Sequence, residues 1–221
     1  MNSATNPPET IAVIGGTGNL GAAIARRLAK AGHRVLIGSR AEQSAAKAAA
    51  ELGFGITGLA NIEAAARADV VILAVPFAAQ QHLLASIAPY VGGKIVVDTT
   101  VPLVPPKVMR VQLPAEGSAA ARAQMALGEA VTVCSAFHNV AAHKLITDEA
   151  VDCDVLVFGD SKPARDVVVG LVEATGLRGI HGGALVNSAA AEALTSLLIF
   201  INKTYAVDGA GIRITGQLPV A

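Results

Sequence analysis

Residues 11–21 read IAVIGGTGNLG, a short apolar run followed by closely spaced glycines. The apolar run predicts a buried strand, and Gly16, Gly18 and Gly21 form the pattern G-x-G-x-x-G. Residues 20–31 have the apolar spacing of a helix with one buried face. A glycine loop between a strand and a helix is typical of sites that bind the pyrophosphate of a dinucleotide.

The backbone of this loop is predicted to do the binding, because glycines allow a tight turn and let a pyrophosphate come close to the main chain. Free amides at the start of the helix would donate to the phosphates, helped by the positive end of the helix dipole. The predicted contacts are Gly16, Thr17, Gly18, Asn19 and Leu20. The alternative is a tight turn that holds no ligand.

The end of the second predicted strand, residues 34–37, indicates which dinucleotide is bound. Sites specific for NAD place Asp or Glu there to hold the ribose 2′-hydroxyl. This chain has Gly38-Ser39-Arg40 instead. A carboxylate would repel a 2′-phosphate, whereas the Arg40 guanidinium and the Ser39 hydroxyl can donate to it. The sequence therefore favours NADP(H); the alternative is that Arg40 is an ordinary solvated side chain.

A predicted central strand, residues 70–75, runs into Val75-Pro76-Phe77. Open α/β sheets bind their ligands at the carboxyl ends of such strands. Pro76 would end the strand and turn the chain over the cofactor. Phe77 is predicted either to cover the ribose or nicotinamide, or to pack in the core.

The rest of the chain alternates strands and helices. Further strands are predicted at 94–98, 131–135, 155–159 and 177–181. Helices are predicted at 43–52, 61–66 (capped by Asn61), 78–87, 119–127, 163–174 and 185–205, with a long loop at 101–116. This order predicts an α/β fold, a Rossmann-type doubly wound parallel sheet with a small C-terminal α/β lobe. The predicted division is a disordered tail at 1–10, an NADP-binding Rossmann domain at 11–135 and the lobe at 136–221.

Composition and charge exclude several classes of function. The formal net charge is zero, which argues against nucleic-acid binding, where basic surface supplies much of the affinity. The first ten residues lack the basic start and apolar middle of a secretory signal. No uninterrupted apolar run approaches the ~20 residues that span a bilayer. Cys134 and Cys153 are predicted to be buried free thiols, as expected in a cytoplasmic protein.

Segments along nearly the whole chain after the tail have a recognisable order, namely 14–21, 38–40, 75–77, 94–97, 101–102, 135–139, 158–160 and 187–188. Together they resemble the family of NADPH-dependent reductases of coenzyme F420, a 5-deazaflavin. The resemblance implies hydride exchange between C4 of the nicotinamide and C5 of the deazaflavin. The two rings would stack in a cleft between the nucleotide domain and the C-terminal lobe.

The resemblance also implies contacts beyond the glycine loop, which are Val75, Pro76, Phe77, Val101, Ala136 and His138. It implies a homodimer, for which the apolar helix around residues 194–201 is a candidate interface. The deazaflavin carries a phosphate and an acidic tail, and the basic side chains available to meet them are Lys107, Arg110, Lys144 and Arg213. The sequence does not choose among these four.

One stretch departs from the family. Members can carry a lysine a few residues after the arginine, as a further 2′-phosphate contact. Here Ala41-Glu42-Gln43-Ser44 follows Arg40, and Lys47 is the nearest lysine. A carboxylate at Glu42 would weaken 2′-phosphate binding, so the preference for NADP over NAD is expected to be less strict.

Transfer between two ring carbons needs closeness, orientation and a dry pocket more than an acid or a base. No catalytic side chain is therefore assigned, and His138 is the candidate for positioning. The spacing of His138 and His143, with no Cys pair nearby, disfavours a metal site. Two other functions stay open: an NADP-dependent reductase or dehydrogenase of a small metabolite, and a protein that senses NADP without turnover.

Overall fold

The protein is described, in a computed structural model, over residues 10–217. Its strands are β1 Thr10–Ile14, β2 Arg34–Ser39, β3 Thr57–Ala60, β4 Val70–Leu73, β5 Ile95–Asp98, β6 Thr132–Ser135, β7 Asp154–Gly159 and β8 Arg178–Gly183. Within the described residues they form one eight-stranded sheet in the order β3-β2-β1-β4-β5-β6-β7-β8. The first six positions in this order are those of a doubly wound nucleotide-binding fold.

Helices cover both faces of this sheet. They are α1 Asn19–Lys30, α2 Glu42–Leu52, α3 Asn61–Arg67, α4 Phe77–Ile87, α5 Ala119–Leu127, α6 Ala142–Leu145, α7 Lys162–Ala174 and α8 Ser188–Tyr205. Short 3-10 turns at Ala88–Tyr90 and Leu185–Asn187 follow α4 and precede α8. The segment between β5 and α5 contains no helix or strand, which confirms the predicted long loop.

The central strand β1 shows why the sequence folds this way. All five of its residues are buried, as expected for a parallel strand covered on both faces. Ile11 and Val13 pack into one hydrophobic cluster, and Ala12 and Ile14 into the other. Because successive side chains of a strand point to opposite faces, this short run supplies both cores of the protein.

The structure confirms the predicted α/β class with a Rossmann-type, mostly parallel sheet, in which one pair of the described strands departs from the parallel arrangement. β6 and β7 pair antiparallel, whereas β7 and β8 pair parallel to each other. A parallel connection needs a crossover helix packed on the sheet. The chain between β6 and β7 instead has only the four-residue α6, which packs against α1. The chain therefore enters β7 from the edge at which β6 ends.

Two local features differ from the prediction. β3 was not predicted, because Thr57–Ala60 has no apolar run; it forms by pairing with β2 and buries Leu59. The predicted cap on α3 is wrong, since Asn61 is the first residue of the helix and the N-cap is Ala60, which makes no side-chain cap hydrogen bond. The Asn61 side chain lies instead against Gly38, where a Cβ would meet its Oδ1 at 2.9 Å.

Most of the predicted tail lies outside the described residues, whereas the predicted start of the lobe lies within them. Residues 1–9 lie outside the described residues. Thr10, assigned to the tail, is the first residue of β1, and its N–H donates to the Asp69 carboxylate at 2.9 Å. The boundary predicted at residue 135 coincides with the end of β6, and β7 and β8 continue the same sheet beyond it.

The span Leu185–Tyr205 is long and apolar enough to cross a membrane, with a mean hydropathy of 1.4, and about a third of it is buried within the protein. Hydrogen bonds join the first half of this span to the start of α5. Ser188 Oγ lies 3.0 Å from Ser118 Oγ, and the buried Glu192 carboxylate accepts hydrogen bonds from α5. α8 is therefore packed as a helix of the α/β fold.

Candidate functional site

The carboxyl ends of five parallel strands meet at one edge of the sheet. Ile14 of β1 pairs in register with Gly38 of β2 and Leu73 of β4. Leu73 pairs in turn with Asp98 of β5, which pairs with Ser135 of β6. The segments that leave these strands carry the predicted cofactor contacts, so the fold brings all of them to the same edge.

The glycine loop is shaped by three close approaches. Gly15 has φ +82°, and a Cβ on it would meet Ala74 O at 2.4 Å. A Cβ on Gly16 would lie 2.6 Å from the Ile37 side chain, and one on Gly21 would lie 2.4 Å from Gly15 O. Only glycine fits these positions without moving the backbone or a core side chain. Gly21 therefore lets the start of α1 pack closely against the loop.

The start of α1 presents unpaired backbone donors. Gly18 is its N-cap and has no side chain to accept from the first turn. Within the described residues, the N–H groups of Thr17, Asn19 and Leu20 have no backbone partner. Thr17, Gly18 and Asn19 are exposed, and a Cβ on Gly18 would meet only Gly15 O, at 3.3 Å. This arrangement can accept an anion, and it fits a pyrophosphate.

The end of β2 carries the two residues predicted to select the nucleotide. Ser39 is half-buried and Arg40 is exposed directly after it. Neither side chain has a hydrogen-bond partner among residues 10–217. Asn61, predicted only as a helix cap, lies against Gly38 and adds a buried Oδ1 that has no partner among the described residues. Polar side-chain groups of Ser39, Arg40 and Asn61 therefore lie at the end of β2.

The segment after β4 runs against the glycine loop. Val75 is half-buried, and a Cβ on Gly15 would meet its Cγ1 at 2.9 Å. Pro76 is the exposed N-cap of α4, and Phe77 is its first residue. The Phe77 side chain is half-buried rather than enclosed in a core. An aromatic ring thus lies at the edge of the sheet with part of its surface open.

The ends of β5 and β6 bring polar atoms together that have no partner. Thr100 Oγ1, Ser135 Oγ and His138 Nε2 are buried and form no hydrogen bond with any described residue. Burial lowers the pKa of His138 to about 4, so its imidazole is neutral at pH 7. Unpaired buried polar atoms are rare, so these three at the carboxyl edge of the sheet are candidates for contacts with a bound polar molecule.

The neighbours of His138 differ in exposure and in backbone strain. Ala136 is fully buried, and its N–H donates to Asp98 O at 3.2 Å. Val101 is half-buried on the loop after β5. Phe137, between Ala136 and His138, has φ +65°, an uncommon conformation for a residue with a Cβ. This strained residue gave no signal in the sequence.

Known proteins resemble this chain over most of its length. A family model described as NADP oxidoreductase, coenzyme F420-dependent, matches residues 10–102. The F420-dependent NADP reductase of Methanothermobacter thermautotrophicus is 44% identical over 218 residues, which are 93% of this chain and 94% of that protein. The chain belongs to the family of F420-dependent NADP reductases.

Two further similar proteins agree with this assignment. The F420-dependent NADP reductase of Methanocaldococcus jannaschii is 40% identical, over 93% of this chain and 97% of that protein. A crystal structure of a candidate F420-dependent NADP reductase from Arthrobacter sp. FB24 has a TM-score of 0.78 and 25% identity. The structural match covers 95% of this chain and 100% of the Arthrobacter chain, so the shared fold includes the antiparallel strands as well.

The structure also contains two buried carboxyl groups that were not predicted from sequence. Asp98 is 1% exposed at the end of β5, and burial raises its pKa to about 6. Glu192 of α8 is also 1% exposed and accepts from Ala119 N at 2.6 Å and Ala120 N at 3.1 Å. Burial, with the Asp98 charge nearby, raises its pKa to about 7. Neither residue lies in a recognisable motif, so no sequence pattern could single them out.

Two cavities lie beside α6 and share His143 in their lining. One, of about 280 Å³, lies between the start of α1 and α6 and includes Thr17, Gly18 and His143. The other, of about 400 Å³, continues past His143 to Lys144 and the turn at Gly209. Of the basic side chains proposed from sequence, only Lys144 lines either cavity.

The other three basic candidates lie elsewhere. Arg213 forms an ion pair with Asp152, and Lys107 and Arg110 are exposed on the loop before α5.

Proposed function

We propose that this protein transfers a hydride between NADP(H) and the 5-deazaflavin coenzyme F420. The observation that carries the proposal is the length of the likeness to relatives named F420-dependent NADP reductase, which covers 93% of the chain. The glycine loop alone would suit many NADP enzymes. A likeness that extends through the C-terminal residues favours the same second redox partner.

The NADP(H) contacts in this proposal lie at the ends of β1 and β2. Gly16 to Leu20 would hold the pyrophosphate, chiefly through the N–H groups of Thr17, Asn19 and Leu20, which have no backbone partner within the described residues. Ser39 and Arg40 would bind the 2′-phosphate, since both are free of other hydrogen bonds within the described residues. Glu42 follows in the first turn of α2, where a carboxylate moderates the preference for NADP.

The ring contacts lie at the ends of β4, β5 and β6. When both cofactors are bound, the nicotinamide C4 and the deazaflavin C5 exchange the hydride. Phe77 would cover one ring, and Val75, Pro76, Val101 and Ala136 would keep the rings close and exclude water.

His138 would position a cofactor through a hydrogen bond at its unpaired Nε2. As a neutral imidazole with a pKa near 4, it is poorly suited to be a general acid at pH 7.

The larger organisation is also part of the proposal. Residues 11–135 would form the nucleotide domain, and the residues from 136 onward would form the lobe that receives the deazaflavin. The exposed apolar side chains Leu197, Phe200 and Tyr205 of α8 favour a homodimer that covers them. Two buried cysteines that form no disulfide agree with a cytoplasmic location.

The hydride-transfer proposal is tested by mixing the purified protein anaerobically with NADPH and oxidised F420 and following loss of the deazaflavin's visible absorbance. We expect turnover that needs both components and is slower with NADH. Absence of turnover with NADPH binding intact would refute the F420 assignment and favour a small-metabolite reductase or an NADP sensor.

The homodimer is tested by light scattering after size-exclusion chromatography. We expect a mass of two chains for the wild type and of one chain for Phe200→Glu. A single-chain mass for the wild type at micromolar concentration would refute the dimer.

A further inference from the structure

Arg122 of α5 reaches across to the first turn of α4 and holds Phe77 in two ways. Its guanidinium carbon lies 4.0 Å from the centroid of the Phe77 ring, stacked over one face. Its Nη2 donates to the Phe77 carbonyl oxygen at 3.1 Å. The contact joins residues 45 positions apart, so it is made by tertiary packing rather than by helix geometry.

The guanidinium is itself held by a chain of buried polar groups. Arg122 Nε donates to Gln80 Oε1 at 2.9 Å. Gln80 is fully buried, and its Nε2 donates to Asp98 and, at 3.0 Å, to Ala119 O. Asp98 accepts in turn from Thr100 N at 3.0 Å. The chain therefore starts at the carboxyl end of β5 and ends on the Phe77 ring.

The partners of Arg122 are unusual for an arginine. Within the described residues, the contacts of its guanidinium are an amide oxygen, a carbonyl oxygen and an aromatic face, all of them neutral. Its nearest carboxylate in this chain of contacts, Asp98, is reached only through Gln80. Two of these three contacts, the ring face and the carbonyl oxygen, belong to Phe77, and the third anchors the guanidinium on Gln80.

We propose that Arg122 is a positioning residue, which fixes the Phe77 ring at the carboxyl edge of the sheet so that its open face meets the reacting rings. The inference rests on the proposed function for the role of Phe77. One ring face is covered by the guanidinium, so a ligand meets only the other. A cation over an aromatic face is attracted by the ring's quadrupole, which favours one side-chain orientation over its alternatives.

Fluorine NMR tests the hold on the ring without any turnover. The chain has five phenylalanines, so 4-fluorophenylalanine labelling gives few signals, and Phe77→Leu assigns the one from Phe77. We expect Arg122→Met to shift and broaden that signal and to reduce its response to NADPH. Arg26→Met is the matched control, because Arg26 also stacks over a phenylalanine ring, that of Phe54, at 5.3 Å. An unchanged Phe77 signal in Arg122→Met would overturn the inference.

Kinetics test whether the ring's position matters for hydride transfer. We expect Arg122→Met to lower kcat about tenfold with little change in KM for NADPH, since misplacement costs rate rather than binding. Arg122→Lys keeps a cation over the ring and should restore part of the rate. Arg26→Met should leave kcat unchanged.

A double variant separates action through Phe77 from an independent role. If Arg122 acts through the ring, Arg122→Met should add nothing to the loss already caused by Phe77→Leu. Losses that multiply in the double variant would overturn the inference. A wild type that binds NADPH but does not turn over F420 would refute the proposed function alone, because the NMR comparison would still report on the hold of Arg122.

Discussion

The two halves of the carboxyl edge are built by different means. At the ends of β1 and β2, the chain presents backbone N–H groups and glycines, and the side chains of Thr17, Asn19 and Arg40 are exposed. At the ends of β5 and β6, the polar groups are buried side chains, among them Asp98 and His138. The first half is shaped by close packing of the glycine loop against the ends of β2 and β4, and the second by contacts with α4, α5 and α8.

This difference affects how each half responds to change. A backbone site depends on how closely main-chain segments approach each other, so a single added methyl group can disrupt it. A site of buried polar side chains depends on whether each group is paired and charged, so it responds to pH and to loss of a partner. The following predictions test this contrast, from the largest expected effect to the smallest.

Gly21→Ala should disrupt the first half of the carboxyl edge, at the ends of β1 and β2. Its Cβ would lie 2.4 Å from Gly15 O, a backbone atom that cannot yield without moving the loop. We expect NADPH affinity to fall by a factor on the order of 100, because the amides of the first turn no longer point at one anion. Titration of NADPH fluorescence measures this.

The matched control is Gly170→Ala on α7, where a Cβ meets nothing within 4 Å. It should leave binding unchanged and raise the free energy of unfolding by about 0.5–1 kcal/mol. If Gly21→Ala binds NADPH as the wild type does, the close-packing account of the loop is incorrect.

Arg40→Ala should sharpen the nucleotide assignment. Removing the guanidinium should weaken NADPH binding by a factor of about 30, since a charge-assisted hydrogen bond contributes about 1.5–3 kcal/mol. NADH lacks the 2′-phosphate, so its affinity should change little. Arg34→Ala, at the exposed start of the same strand, is the control. Equal losses for the two nucleotides would exclude the 2′-phosphate role of Arg40.

Glu192→Gln should reveal the pH response of the second half. With a pKa of about 7 in the folded protein and an ordinary value near 4.5, Glu192 keeps a proton that the unfolded chain releases. The free energy of unfolding should therefore fall as pH rises from about 5 to about 8. In Glu192→Gln, the fall in the free energy of unfolding over this pH range should be smaller by on the order of 1–2 kcal/mol.

The measurement is urea unfolding at several pH values for both proteins. The variant retains Asp98, whose pKa is about 6, so its free energy of unfolding should still fall as pH rises, but by less than in the wild type. Parallel curves for the wild type and the variant would contradict the assignment of a raised pKa to Glu192.

Local patterns predicted most of the fold. Apolar runs and glycines predicted β1, α1 and β2 to within a few residues, because each is formed by neighbours in sequence. β3 escaped prediction, since its residues become a strand only by pairing with β2. The antiparallel β7 also escaped it, because the direction of a strand depends on how the preceding connection packs.

The candidate site divides in the same way. The glycine loop and Ser39-Arg40 could be named from sequence, since the residues that define them are adjacent. His138 could be named only through a family resemblance, and its unpaired Nε2 is a property of its burial. Arg122 carried no sequence signal, because its meaning comes from the ring it covers.

By itself, the sequence determined that a strand, a glycine loop and a helix meet at Gly15 to Gly21, and that a basic residue follows the next strand. Those features depend on local conformation and on which residues lack a Cβ. Only the tertiary structure decided that Glu192 accepts from α5, 73 residues away, and that Arg122 holds Phe77. Such pairs arise because the packed sheet and helices bring distant segments into one low-dielectric interior, where each buried polar group needs a partner.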